Sequence, residues 1–183
     1  MTSPRVEHWL RCAAKRCCYD ATVFVTGADL ARIARTVSVP PWVFTIGIPC
    51  APDADDGFAL EPAGKRQRLA LGRARFPGED AHCAFLVSLP DGAARCGLGD
   101  ARPAGCRAFP FGSGHHCCSC DWSSVDLITE ADDLGAMLTA ERDRYAAVVA
   151  RWNAYVDTGG AEHGLELRDF CRFLLDAYPE DGR

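Results

Sequence analysis

No stretch of the chain is apolar over anything near the roughly 20 residues that a membrane-spanning helix requires, so a membrane partner is not expected. The opening segment, Met1 to Leu10, carries Arg5, Glu7 and His8 and lacks the apolar centre of a secretion signal. The expected location is therefore the cytoplasm, where thiols stay reduced. No block of Lys and Arg is present, and the net charge is -5, so no basic footprint speaks for nucleic acid. A glycine-rich dinucleotide fingerprint, a P-loop, a Ser-His-Asp order and a nucleophile elbow are all missing. None of these absences decides whether the protein is an enzyme; they remove the commonest ways of being one. Arg heavily outnumbers Lys, and Ala, Gly and Pro are common, which reflects a GC-rich, bacterial type of coding background and not a function.

What is there is cysteine. The 183 residues include 11 cysteines in a chain of otherwise ordinary composition, 48% hydrophobic and 25% charged. Single residues such as Cys50 and Cys171 suit buried small hydrophobes. The dense runs Cys17-Cys18 and Cys117-Cys118-Ser119-Cys120 do not. An odd count, no secretion signal and a chain long enough for a real core speak against a disulfide scaffold. Clustered thiolates in a reducing compartment point instead to a soft metal.

Three groups distant in sequence are candidates for one site: Cys12, Cys17 and Cys18; Cys83, Cys96 and Cys106; and Cys117, Cys118 and Cys120, with His115 and His116 as weaker candidates beside them. Zinc takes four such ligands tetrahedrally, and iron–sulphur clusters are held by the same thiolates, so ligand type leaves zinc and iron both open. No tight pair of Cys-x-x-Cys knuckles is present to single out zinc.

The pattern of elements is α+β. A short strand is expected over Ala21 to Val25. The capping box Thr26-Gly-Ala-Asp29 opens a helix over Ala28 to Ser38, with Leu30, Ile33, Ala34 and Val37 on one face. Pro40-Pro41 ends it. Thr45 to Asp80 is rich in Gly and Pro, with short strands at Phe58 to Leu60 and Arg68 to Leu71 and charge patches that read as solvated loops. The runs Cys83 to Leu89 and Ala93 to Leu98 flank Pro90-Asp91-Gly92 and predict a β-hairpin that brings Cys83 and Cys96 onto neighbouring strands. A second capping box, Thr129-Glu-Ala-Asp132, precedes a long amphipathic helix through Leu134, Leu138, Tyr145, Val148, Val149, Trp152 and Val156. A final helix covers Leu165 to Tyr178. The organisation expected is a small irregular metal-bound domain with short strands and a β-hairpin over residues 1–122, followed by a helical C-terminal extension, 123–183, packed on it.

Cys17-Cys18, the Thr26-Gly-Ala-Asp29 helix start, Cys83-Ala-Phe-Leu86 and the run Cys96-Gly-Leu-Gly-Asp-Ala-Arg102-Pro103-Ala-Gly-Cys106-Arg107-Ala-Phe-Pro110 together resemble the YkgJ-type cysteine-cluster family, a zinc- or iron-chelating domain. The resemblance runs from about Cys12 to Phe111. Cys17, Cys18, Cys83, Cys96 and Cys106 carry over position by position. Ala14 and Arg11 stand where the family pattern has cysteines, with Cys12 one residue away. The resemblance implies a metal ion held by these thiolates, as zinc or as an iron–sulphur (4Fe-4S) cluster, with iron favoured by the family's iron-linked members. Cys117, Cys118 and Cys120 lie beyond the matching segment, one short Gly-rich loop from Cys106, and are expected to complete the same site; the alternative is a second, more exposed site with His115 or His116. Arg102 and Arg107 are expected beside the cofactor, where guanidinium groups offset thiolate charge; the alternative is pairing with carboxylates such as Asp100. For Asp29 the expectation is helix capping alone. The same resemblance admits a metal-dependent enzyme acting on a protein or peptide partner, by methylase-like or oxidative modification. A structural zinc module that presents its helical tail to a partner is the third possibility.

Overall fold

The structure is a computed structural model that describes residues 18–19, 21–77, 80–90, 94–108, 128–159 and 164–179, with backbone alone for 108 and 128–134. Helix α1 spans Gly27–Val37. Thr26 caps it: its hydroxyl accepts from the Asp29 N–H, and the Asp29 carboxylate accepts from the Thr26 N–H, each at 3.3 Å. Gly27 is needed where it stands, because any Cβ there would run into the Tyr178 ring. Leu30 and Ile33 form the buried face, and Ser38 ends the helix in the left-handed region, φ 53°. Pro41 then opens the single turn α2, Pro41–Phe44.

Three antiparallel strand pairs follow. Strand β1, Thr45–Pro49, pairs with β2, Gln67–Leu71, in the register Thr45 opposite Leu71. Strand β3, Arg73–Ala74, pairs with β4, His82–Cys83. Strand β5, Leu86–Ser88, pairs with β6, Ala94–Cys96, and is the expected hairpin. A 3-10 turn, Gly99–Ala101, leads into the short helix α3, Ala104–Ala108. The long helix α4 spans Ile128–Asp157, and α5 spans Leu167–Ala177. Helices beside short antiparallel strand pairs, ending on a C-terminal helix, make the chain α+β.

The differences from expectation have local causes. The runs Ala21 to Val25 and Phe58 to Leu60 each contribute one bridge residue, Phe24 opposite Ala70 and Phe58 opposite Gln67. Strand β1 arises in a stretch where no strand was expected, since Gly47 and Pro49 hide a five-residue strand. Thr129 is not an N-cap, because α4 already begins at Ile128. Helix α5 is capped by a box that sequence inspection passed over, Glu166 with Asp169, because glutamate is an unusual N-cap. None of the described helices is long and apolar enough to cross a membrane.

A single apolar cluster joins both ends of the chain: Val25, Leu30, Ile33, Phe58 and Leu69 meet Val149, Trp152, Phe170 and Leu174. Phe170 stacks on Phe58 at 4.1 Å between ring centroids, and Trp152 leans on Phe170 at 5.3 Å. The polar groups of α4 add specificity. The Trp152 indole donates to the Ala59 carbonyl at 2.7 Å, and Asn153 accepts from the Ala59 N–H and donates to the Gly57 carbonyl, each at 2.9 Å.

Cys171 is wholly buried in this cluster, its sulphur 3.8 Å from the Thr45 hydroxyl. Burial pushes its thiol up to about 11 from an ordinary 9.0. The unfolded chain therefore loses this proton first. The contribution is intact below about pH 9 and is lost as the pH rises towards 11, up to ~2 kcal/mol in all. Urea unfolding of the parent and of Cys171→Ala at pH 8, 9 and 10 tests this. The variant is expected to lose less stability over that range, and an unchanged slope would contradict the assignment.

Candidate metal centre

Arg73 is the anchor of the cysteine-bearing region. It stands opposite Cys83 in the β3–β4 pair, and its guanidinium donates to the backbone carbonyls of Tyr19, Ala21 and Ala81. One side chain thus ties the segment that follows Cys18 to the strand that carries Cys83. The Tyr19 ring meets the His82 imidazole edge-on at 5.8 Å. Cys18 and Cys83 are each one residue from that contact.

Cys96 ends β6 opposite Leu86, and the Gly97 N–H bonds to the Phe85 carbonyl at 2.8 Å. The hairpin was expected to place Cys83 and Cys96 on its two strands. Instead Cys83 belongs to the preceding β3–β4 pair, because the Ala84 N–H turns to the Gly72 carbonyl and the chain changes partner between Cys83 and Leu86. The backbone brings Phe85 and Leu86, two and three residues on from Cys83, alongside Gly97 and Cys96. Both sulphurs are partly buried and border the core.

Cys106 sits in α3, which Asp29 holds against α1. The Asp29 side chain is 3% exposed; one of its oxygens accepts from the Ala104 N–H at 2.8 Å and from Arg32 Nη2 at 2.5 Å. Arg32 Nη2 also reaches the Arg102 carbonyl at 3.0 Å. Asp29 is more than the helix cap the sequence suggested. It is the buried joint between α1 and the Arg102 to Arg107 segment, and no local pattern announces a bond across 75 residues.

The expected arginines converge there. Arg102 Nε donates to the Gly99 carbonyl at 3.1 Å. The Arg107 guanidinium is held below its ordinary value, first by burial and then by Arg32, with Arg102 also repelling; Asp29 and Asp100 act the other way. Arg32 and Arg102 thus act electrostatically on Arg107, the residue after Cys106. The Nε atoms of Arg32 and Arg107 are buried with no hydrogen-bond partner. Asp100 enters as a weaker neighbour of Arg107 and not as an ion-pair partner.

His82 is a candidate that sequence inspection missed. It is 5% exposed, and its Nδ1 lies 2.9 Å from the Cys83 carbonyl oxygen. With the proton on Nδ1, donated to that carbonyl, the lone pair stands on Nε2, the arrangement of many ligating histidines. Its signal was only its place beside Cys83.

Cys12, Cys17, Cys117, Cys118 and Cys120, with His115 and His116, lie outside the described residues. Among the described residues, no three Cys, His, Asp or Glu side chains gather as a metal ion needs. Cys50, expected as a buried filler, is partly buried and lies close to Gly57. Comparison with family models, curated proteins and solved structures finds no match to this chain.

Proposed function

We propose that the protein holds zinc or an iron–sulphur cluster through cysteine thiolates drawn from Cys17, Cys18, Cys83, Cys96 and Cys106, with Cys117, Cys118 and Cys120 or Cys12 completing the set. The observation that carries this reading is the pair of buried Nε atoms of Arg32 and Arg107, left without partners, with Arg107 next to Cys106 and repelled by Arg32. Leaving buried donors of a charged group unmet costs free energy. A bound metal–thiolate centre is anionic, and its sulphurs accept N–H donors, so it answers both the charge and the orphaned donors. The residues present fit such a group: partly buried thiols on short elements, donors beside them and an imidazole next to Cys83. Arg102 and Arg107 would stabilise the centre's charge, and the thiolates would supply soft ligation. The organisation this implies is a metal-binding domain over residues 1–122 with a helical extension over 123–183, working in the cytoplasm.

The test is anaerobic purification, with iron supplied during growth, followed by elemental analysis and a visible absorption spectrum. A coloured protein with stoichiometric iron is the expected result, ahead of colourless protein with zinc. Serine in place of Cys18, Cys83, Cys96 or Cys106 is expected to reduce metal content sharply at each true ligand, because a hydroxyl is a poor soft-metal ligand. Full metal retention in every single variant, Cys17→Ser included, would overturn the proposal.

A further inference from the structure

A cavity of about 350 Å³ lies between the start of α1, the start of α3, the middle of α4 and the Asp55–Asp56 turn. At this size it suits a small molecule or one side chain. Its lining is acidic. Asp29, Asp55, Asp56, Glu141 and Asp143 line it against Arg68 and Arg142, and Asp29 is further answered by Arg32. Five carboxylates thus face three guanidinium groups. Asp56 is held by Arg68 at 2.6 Å, and Glu141 accepts from the Ala28 N–H at 3.2 Å with the Tyr178 hydroxyl also close to its carboxylate. Asp55 and Asp143 stand exposed at the mouth.

A cluster of acids alone is only a solvated surface, but here a second observation points inward. Tyr145 lines the same cavity and is 4% exposed, and its hydroxyl is buried with no hydrogen-bond partner. Burial, and then the charge of Asp56, push its ionisation well above the ordinary value, with Tyr178, Cys171 and Glu141 adding to this. The phenol therefore keeps its proton and feels two carboxylates of the cavity wall. Such a hydroxyl, left bare, costs free energy that a ligand would recover.

We propose that this cavity binds a primary alkylammonium ion, with its ammonium among Tyr145, Asp56 and Glu141 and its carbon chain against Val25 and Leu138. An ammonium carries three N–H donors and no acceptor, and the wall offers one hydroxyl and two carboxylates to receive them. A guanidinium suits the site less well, because it prefers a planar fork against a single carboxylate, and one oxygen of Asp56 is already taken by Arg68 Nε. Two sources share this chemistry: a free aliphatic diamine, whose second ammonium would meet Asp55 and Asp143, and the side chain of a lysine in a peptide. The proposal requires no metal and uses no cysteine, although Ala104 and Gly105, which precede Cys106, form part of the wall.

Isothermal titration at low salt tests it, with 1,4-diaminobutane and N-acetyl-lysine amide as probes and 1-butanol as the uncharged control. One-site saturable binding by at least one amine, and none by butanol, is expected. Glu141→Gln and Tyr145→Phe are each expected to weaken that binding about tenfold. Thermal melts accompany both variants. Tyr145→Phe keeps the ring and is expected to fold as well as the parent, since the hydroxyl it loses has no partner. Should Glu141→Gln misfold, the exposed pair Asp55→Asn and Asp143→Asn takes its place, with diamine binding expected to fall about threefold each. Binding of the diamine alone identifies a free amine, and binding of the lysine amide identifies a peptide; either supports the site. The absence of saturable binding by both amines, or unchanged affinity in every folded variant, would overturn it.

Discussion

Replacing Phe170 by alanine is expected to cost about 3–5 kcal/mol, a large share of the ~5–15 kcal/mol that holds a domain of this kind together. Phe170 is fully buried, stacked on Phe58 from the strand-bearing half and touched by Trp152 from α4. Truncation removes a ring from the place where three elements meet. The resulting cavity is hard to close, because Trp152 is fixed by its bond to the Ala59 carbonyl and cannot slide into the space. Urea unfolding followed by tryptophan fluorescence and by far-UV circular dichroism measures the loss. Because one apolar cluster includes residues from both sides of residue 122, the two signals are expected to move together in parent and variant. A loss below about 1 kcal/mol would mean that the Phe170 contacts matter little to the fold.

The parts of the structure that were legible in the sequence are those with a local physical signal. The box at Thr26 and Asp29 closes within one turn, and the apolar faces of α1, α4 and α5 repeat at helical spacing, so their existence and type could be anticipated. The pairing of β5 with β6 follows from the Pro90-Asp91-Gly92 signal in the sequence between the two runs. The short strands were poorly marked, since two or three residues show no periodicity and Gly47 and Pro49 hide β1. At the candidate site, Arg102 and Arg107 were expected beside the thiolates on the ground of charge, and Arg107 follows Cys106 directly in the chain. The roles of Asp29, Arg73 and Tyr145 were not legible. Asp29 reaches Ala104, Arg73 reaches the backbone at Tyr19, and Tyr145 gains its meaning from acids brought by other segments. Tertiary hydrogen bonds of this kind leave no trace in spacing.

Asp29→Ala is expected to destabilise the protein by about 3 kcal/mol and to reduce its metal content by loosening the Cys106 segment without touching a ligand. The carboxylate accepts bonds from the Thr26 N–H, the Ala104 N–H and Arg32. Its removal breaks the reciprocal half of the capping box, leaving the Thr26 N–H without its acceptor while the Thr26 hydroxyl still caps α1, at about 1 kcal/mol, and leaves the buried Ala104 N–H without an acceptor, at about 1–3 kcal/mol. The Arg32 pair adds less than a fully buried pair would, because the arginine side chain is 29% exposed and solvent screens it. Arg32 and Arg107 would then face each other with less negative charge between them, and α3 would lose its tie to α1. Asp29→Asn separates these effects. Its amide oxygen still accepts from Ala104, so the segment stays attached, while the charge that answers the arginines is lost. The milder variant is expected to retain most of its stability and metal, and alanine to lose both. Metal per chain measured anaerobically, beside urea midpoints, provides both readouts. Equal behaviour of Asp29→Ala and the parent in both would mean that α3 is held by contacts other than this carboxylate. Loss of stability with full metal retention would show instead that Cys106 does not depend on the joint, and would remove it from the ligand set or fix it by another route.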